Sequence, residues 1–176
     1  MTRRLTWVVS LAAVVVVTVL QAGSVQATPA GGFTGTTLAL GRFGKIDVFN
    51  HFLPPNTPAS RRHRDLWLSW QKTKGLSDLY VQSNVWEPGG STGWHTHPGH
   101  SLIIVTAGTV TAYEGEDAKC KPHVYTQGMG FVDPGGDHVH VLRNEGTVEA
   151  RTVAVQLIPA AAVRRIDAPD PGHCAF

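Results

Sequence analysis

The chain has 176 residues, 42% of them hydrophobic and 16% charged, with a formal net charge of +2. So small a positive balance excludes a dedicated nucleic-acid binder, which concentrates basic residues on one face. The length excludes a many-domain assembly: about 150 residues beyond the leader make one domain with a real core.

The leader comes first. Arg3 and Arg4 precede an apolar run from Leu5 to Leu20, and Val25-Gln26-Ala27 follows. This is the layout of a secretory signal peptide with a small residue at the cut. The run falls short of the ~20 residues that span a bilayer comfortably. Cleavage near Ala27 is therefore expected over retention as an anchor. The mature protein then has no stable membrane span and is secreted or held in the cell envelope or periplasm. The paired arginines suggest twin-arginine export, but Leu5, Thr6 and Trp7 fit that signal poorly, so ordinary export is expected. The segment TPAGG just after the cut is expected to be disordered.

Residues 28–77 read as an N-terminal extension whose strands, TLALGRF and DLWLSW, pack on a barrel. Between them lie the proline-rich HFLPPNTPAS and the basic RRHR at Arg61 to Arg64, read as a solvated loop. From Asp78 the pattern turns to short strands. DLYVQSNVWEP (Asp78 to Pro88) alternates. SLIIVT (Ser101 to Thr106) is β-branched and apolar, as a strand buried on both sides would be. Ala107-Gly108 reads as a hairpin turn into TVTAYEG. HVHVL (His138 to Leu142) and ARTVAVQLI (Ala150 to Ile158) are again β-rich, with Asn144-Glu145-Gly146 as the turn between them. Outside the leader no long amphipathic helix is evident. Many short strands at close spacing predict an all-β fold, a small antiparallel sandwich or barrel, with its core over 78–159 and a tail over 160–176. The two cysteines, Cys120 and Cys174, most simply form one disulfide in an exported chain. Two free thiols, or a metal site using Cys120, are the alternatives, and no CxxC spacing supports the latter.

The nine histidines are unevenly spread. Residues two apart on a strand face the same way. His95 and His97 therefore share a face, as do His138 and His140. Two strands that each aim such a pair into a barrel interior suit zinc, copper, iron or nickel. Several buried imidazoles without a metal would each leave a donor and an acceptor to satisfy. His51, His63, His123 and His173 have no partners in sequence and read as surface residues. Tyr113 and Glu114 sit at a strand end with no assignable role. Trp86, Trp94 and Phe131 read as core.

The segment PGGSTGWHTHPGHSLIIVTAG resembles the first motif of the cupin superfamily, with Gly89, His95, His97 and Gly108 in place. GMGFVDPGGDHVHVLRN resembles the second, through Gly128, Pro134, Gly136, His140 and Asn144, with one extra residue before His140. The resemblance implies a double-stranded β-helix, or jelly roll, around one divalent transition metal: iron, manganese, zinc or nickel. It implies His95, His97 and His140 as ligands. His140 is preferred to His138 for its spacing to Asn144. The usual glutamate slot falls on Ser101, a poor neutral ligand. His100, beside that slot, and His138 are the secondary ligand candidates. Three neutral ligands leave the ion's charge uncompensated and favour an anionic small molecule.

The resemblance further implies an exported metal-binding cupin acting as a dioxygenase-like oxidoreductase on a small molecule, and a homodimer. The alternatives are a non-catalytic module that binds a small ligand and an envelope protein whose site has decayed.

Overall fold

The computed structural model describes residues 27–176. The signal-peptide reading falls almost wholly on residues 1–26, outside the described residues. The segment after Ala27 departs from the expected disorder. Thr28 Oγ1 accepts a hydrogen bond from the Trp94 N–H at 2.7 Å. Gly31 and Gly32 already belong to the first strand.

The strands are β1 (Gly31–Phe43), β2 (Asp47–Phe52), β3 (Trp67–Lys72), β4 (Ser77–Ser91), β5 (His95–Thr96), β6 (Ser101–Ala107), β7 (Thr109–Glu114), β8 (His123–Thr126), β9 (Gly130–Asp133), β10 (His140–Arg143), β11 (Ala150–Pro159) and β12 (Ile166–Asp167). The basic RRHR stretch is helical and not a loop: Arg61 ends a 3-10 turn (Ala59–Arg61), and the other three residues lie in the short α1 (Arg62–Asp65). Nothing in the alternation of DVFNHF had marked it as a strand. It became β2 because it pairs in register with β3, from Asp47↔Lys72 to Phe52↔Trp67.

Ten strands form one antiparallel sheet that folds back on itself into two walls. One wall runs β1-β4-β11-β6-β9 and the other β8-β7-β10-β5-β12. A single pairing of Arg143 with Ser91 joins them. The expected all-β barrel is thus present, as a jelly roll. Two details differ from the sequence reading. β6 is buried on one face only: Ser101, Ile103 and Val105 point inward, while Leu102 and Ile104 remain about half exposed. Ala107-Gly108 is no hairpin turn, because β6 pairs with β9 and β11 whereas β7 pairs with β8 and β10. Gly108 instead takes the chain around a corner between the walls, at φ +66°, where a Cβ would sit 2.6 Å from the Glu149 carbonyl oxygen.

Two apolar clusters fill the barrel ends. Trp86, Val110, Ala112, Leu142 and Ala150 pack with Phe33, Tyr125 and Phe131. Trp94, Tyr113, Val141 and Ala168 pack with Val139 and the two cysteines. Cys120 and Cys174 are joined, with Cα atoms 5.4 Å apart. Removing side chains of this size from water contributes about 25 cal/mol per Å² of apolar surface. Asn144 closes the turn before β11: its amide donates to the carbonyls of Trp86, Glu87 and Val148, and its Oδ1 accepts from the Gly146 N–H.

Candidate metal centre

Period-two alternation sets which side chains enter the barrel. Gln82, Asn84 and Trp86 of β4, Ser101 and Ile103 of β6, and Ala154 and Gln156 of β11 all point inward. They line a cavity of about 240 Å³ together with His95, His97, His140 and Asp133. The lining is mixed, with an apolar side made by Phe33, Trp86, Ile103 and Leu142 and a polar side made by amides and imidazoles.

Three histidines meet at the polar side. His95 and His140 lie directly opposite each other across the β5–β10 pair. His97 follows β5 and turns in beside them. One ring nitrogen from each lies within 4.8 Å of the others. The turn carrying Gly135 braces this arrangement. At φ +65° it lies against the backbone of Gly99, so that a Cβ would come within 2.3 Å of the Gly99 carbonyl oxygen. The next residue, Gly136, donates its N–H to the His97 carbonyl at 2.7 Å. Motif-bearing segments forty residues apart are thereby locked together.

Hydrogen bonds fix the rings. His95 Nδ1 lies 2.9 Å from the Gly93 carbonyl and His97 Nδ1 lies 2.6 Å from the Arg164 carbonyl. Each must donate there, which leaves Nε2 with its lone pair free. His140 Nδ1 is buried with no hydrogen-bond partner among the described residues. Burial, reinforced by His140, pushes His95 down to about 2. Burial also holds His140 well below the ordinary imidazole range, although Asp133 opposes the shift. These rings are neutral at neutral pH, as ligands must be. A converging set of three imidazoles with one orphaned nitrogen fits a transition metal.

The secondary candidates lie elsewhere. His100 lines a different cleft, with Pro98, Gly99 and Leu102. Gly99 turns its side chain away from the interior before β6 begins. His138 precedes β10, so the expected two-residue alternation with His140 does not apply. Its Nδ1 meets Glu116 at 2.7 Å and its Nε2 meets Glu114. Ser101 does sit inside the cavity, as its position in β6 requires.

Three polar residues of the site carried no recognisable motif. Asp133, 3% exposed, lies among His97, His140 and Ser101. Arg164 stacks 4.1 Å above the Tyr80 ring and donates to Gln156, Gln82 and Thr37. Arg165 lines the same cavity and pairs with Asp167 at 2.5 Å. A carboxylate directly before Pro134 was the available signal for Asp133. Nothing local marks the two arginines, because they arrive from the tail.

Fold and site together define a barrel that carries an internal histidine centre. Residues 85–156 match the family described as Cupin domain, and this stretch belongs to the cupin superfamily. Similar solved structures include an uncharacterized conserved protein with a double-stranded beta-helix domain from Klebsiella pneumoniae, with 22% identity over 51% of this chain and 74% of that one at a TM-score of 0.43. The polyketide cyclase RemF from Streptomyces resistomycificus shares 20% identity over 53% and 64%, at a TM-score of 0.43. An oxalate oxidase shares 24% over 47% and 46%, at 0.39. The chain thus matches under half the length of that oxidase. No curated protein sequence matches the chain.

Proposed function

We propose that the protein is an exported, metal-dependent cupin oxidoreductase of the dioxygenase kind, acting on a small organic anion. The observation that carries this reading is the convergence of His95, His97 and His140 at one side of an internal cavity, with His95 and His140 buried. A divalent transition ion held by them would supply a Lewis acid and a template for substrate and oxygen.

The remaining chemistry belongs to the protein. His95 and His97 are held in their ligating tautomers by backbone carbonyls. Trp86, Phe33, Ile103 and Leu142 exclude water from one side, which strengthens every electrostatic contact on the other. Arg165 brings positive charge to the lining and favours a carboxylate or enolate. The buried indole N–H of Trp86 has no partner among the described residues, and an acceptor on the substrate would satisfy it. A cavity of about 240 Å³ suits a molecule smaller than the usual drug-sized ligand.

Export rests on the leader and on the Cys120–Cys174 bridge, which persists in oxidising compartments. A homodimer is supported by the β2–β3 hairpin. Phe49, Phe52, Trp67, Leu68 and Trp70 on it are each more than half exposed, and its strands pair only with each other among the described residues. An isolated two-stranded hairpin is marginal in water, so a second copy seated there would stabilise it.

The test is metal analysis of protein purified without chelators, followed by oxygen uptake by the iron(II)-loaded form with thiols, flavonols and organic acids. We expect one ion per chain and uptake with at least one acidic substrate. Bound metal without uptake across the panel would instead establish a binding module.

A further inference from the structure

Ser101 brings a hydroxyl into the cavity at the position where the family resemblance implies a carboxylate. The residue paired directly opposite it, on β9, is Asp133. Both side chains are buried, at 3% and 4% exposure. Both face the cavity, because directly opposed residues of an antiparallel pair project to the same side. The carboxylate missing from one strand is therefore present on its neighbour.

Building on the metal-centre reading, we propose that Asp133 is the carboxylate ligand of this centre and that Ser101 is the residue that positions it. Asp133 Oδ2 lies 3.4 Å from His97 Nε2, and Oδ1 lies 3.6 Å from the orphaned His140 Nδ1. Two ligands at ordinary bond lengths from one ion stand roughly 3.0–3.5 Å apart. The first separation falls in this range; the second, made by the other oxygen, is slightly longer, and the carboxyl stands beside the His95, His97 and His140 cluster. The other contacts of Asp133 hold the carboxyl in place. Oδ1 accepts the Gly135 N–H at 2.9 Å, and Oδ2 is within 3.4 Å of the Ser101 hydroxyl, which donates to it.

A turn-capping aspartate needs only the first of these contacts. Nothing in that role requires the second oxygen to point among imidazoles in a buried cavity. A buried carboxyl is costly unless its oxygens find partners, and a cation between Asp133, His97 and His140 would be one. The centre becomes three nitrogens and one anionic oxygen, which suits manganese and iron better than three imidazoles alone.

Titration of manganese(II) into the apoprotein, followed by the electron paramagnetic resonance of the free ion, tests the assignment. Asp133→Asn keeps an oxygen for the Gly135 N–H and loses only the charge. Its affinity should fall by at least about tenfold, with the melting temperature of the apoprotein little changed. Adding Ser101→Glu to that variant returns a carboxylate to the site and should recover most of the loss. Ser101→Glu alone should gain little, since the coordination is already filled. Cobalt(II) absorption should change with Asp133→Asn, as a change in the ligand set requires. Wild-type affinity in Asp133→Asn, or a gain of about tenfold or more in Ser101→Glu alone, overturns the assignment while leaving the histidine centre intact. Wild-type protein that takes up neither manganese nor cobalt overturns both. Should Asp133→Asn not fold, Ser101→Glu alone still decides, because it leaves the Gly135 turn untouched.

Discussion

His138 and His140 are two residues apart, and the chain puts the same side chain to two uses there. His140 begins β10 and faces His95 inside the barrel. His138 precedes the strand and is held between Glu114 and Glu116 at the surface. Both its ring nitrogens meet carboxylates, in a cluster apart from His95, His97 and His140. His140→Ala should therefore strip most of the metal, and His138→Ala should leave most of it, as measured by metal content per chain. Equal losses would show that the surface cluster also holds an ion. The preference for position 140 was legible from its spacing to Asn144, whose buried amide closes the turn. The fate of position 138 was not, because it depends on two glutamates that reach it across a different strand pair.

At the level of elements, the barrel end near the tail is held by one covalent link. The bridge from Cys120 to Cys174 brings together residues 54 apart in sequence. Next to it, Phe176 lies 4.8 Å from Tyr113 and 6.2 Å from Trp94 between ring centroids, with the Arg143 guanidinium 4.1 Å away. Closing a loop of that length stabilises the fold by up to ~4 kcal/mol through lost entropy of the unfolded chain. Paired Cys120→Ser and Cys174→Ser substitutions should lower the unfolding free energy by about 2–4 kcal/mol in denaturant titration. Metal content should persist, since neither cysteine lines the cavity that holds the histidines. Two alkylatable thiols in protein exported by its own host would contradict the bridge. The pairing could be expected from two cysteines behind a leader; the packing of Phe176 against that end could not.

For the whole molecule, the open question of shape is the β2–β3 hairpin. Apolar side chains on an otherwise well-built domain mark a surface that is covered by something. Light scattering after size exclusion should give twice the chain mass for the mature protein. Trp67→Ser with Trp70→Ser should return it to a monomer without loss of metal. A wild-type monomer would remove the hairpin from the interface.

Alternation of apolar and polar residues and the two His-bearing motifs determined, without coordinates, that the chain builds a small β-barrel with imidazoles on its inner face. Those are local properties: which side of a strand a residue occupies follows from its parity. Strand pairing is not local. Only the tertiary structure decided that β6 lies beside β9, and so that Asp133 stands next to Ser101. It likewise brought Arg164 from the tail to fix His97 through its carbonyl. The assembly of the site rests on contacts between residues far apart in sequence, and these exist only once both walls have closed.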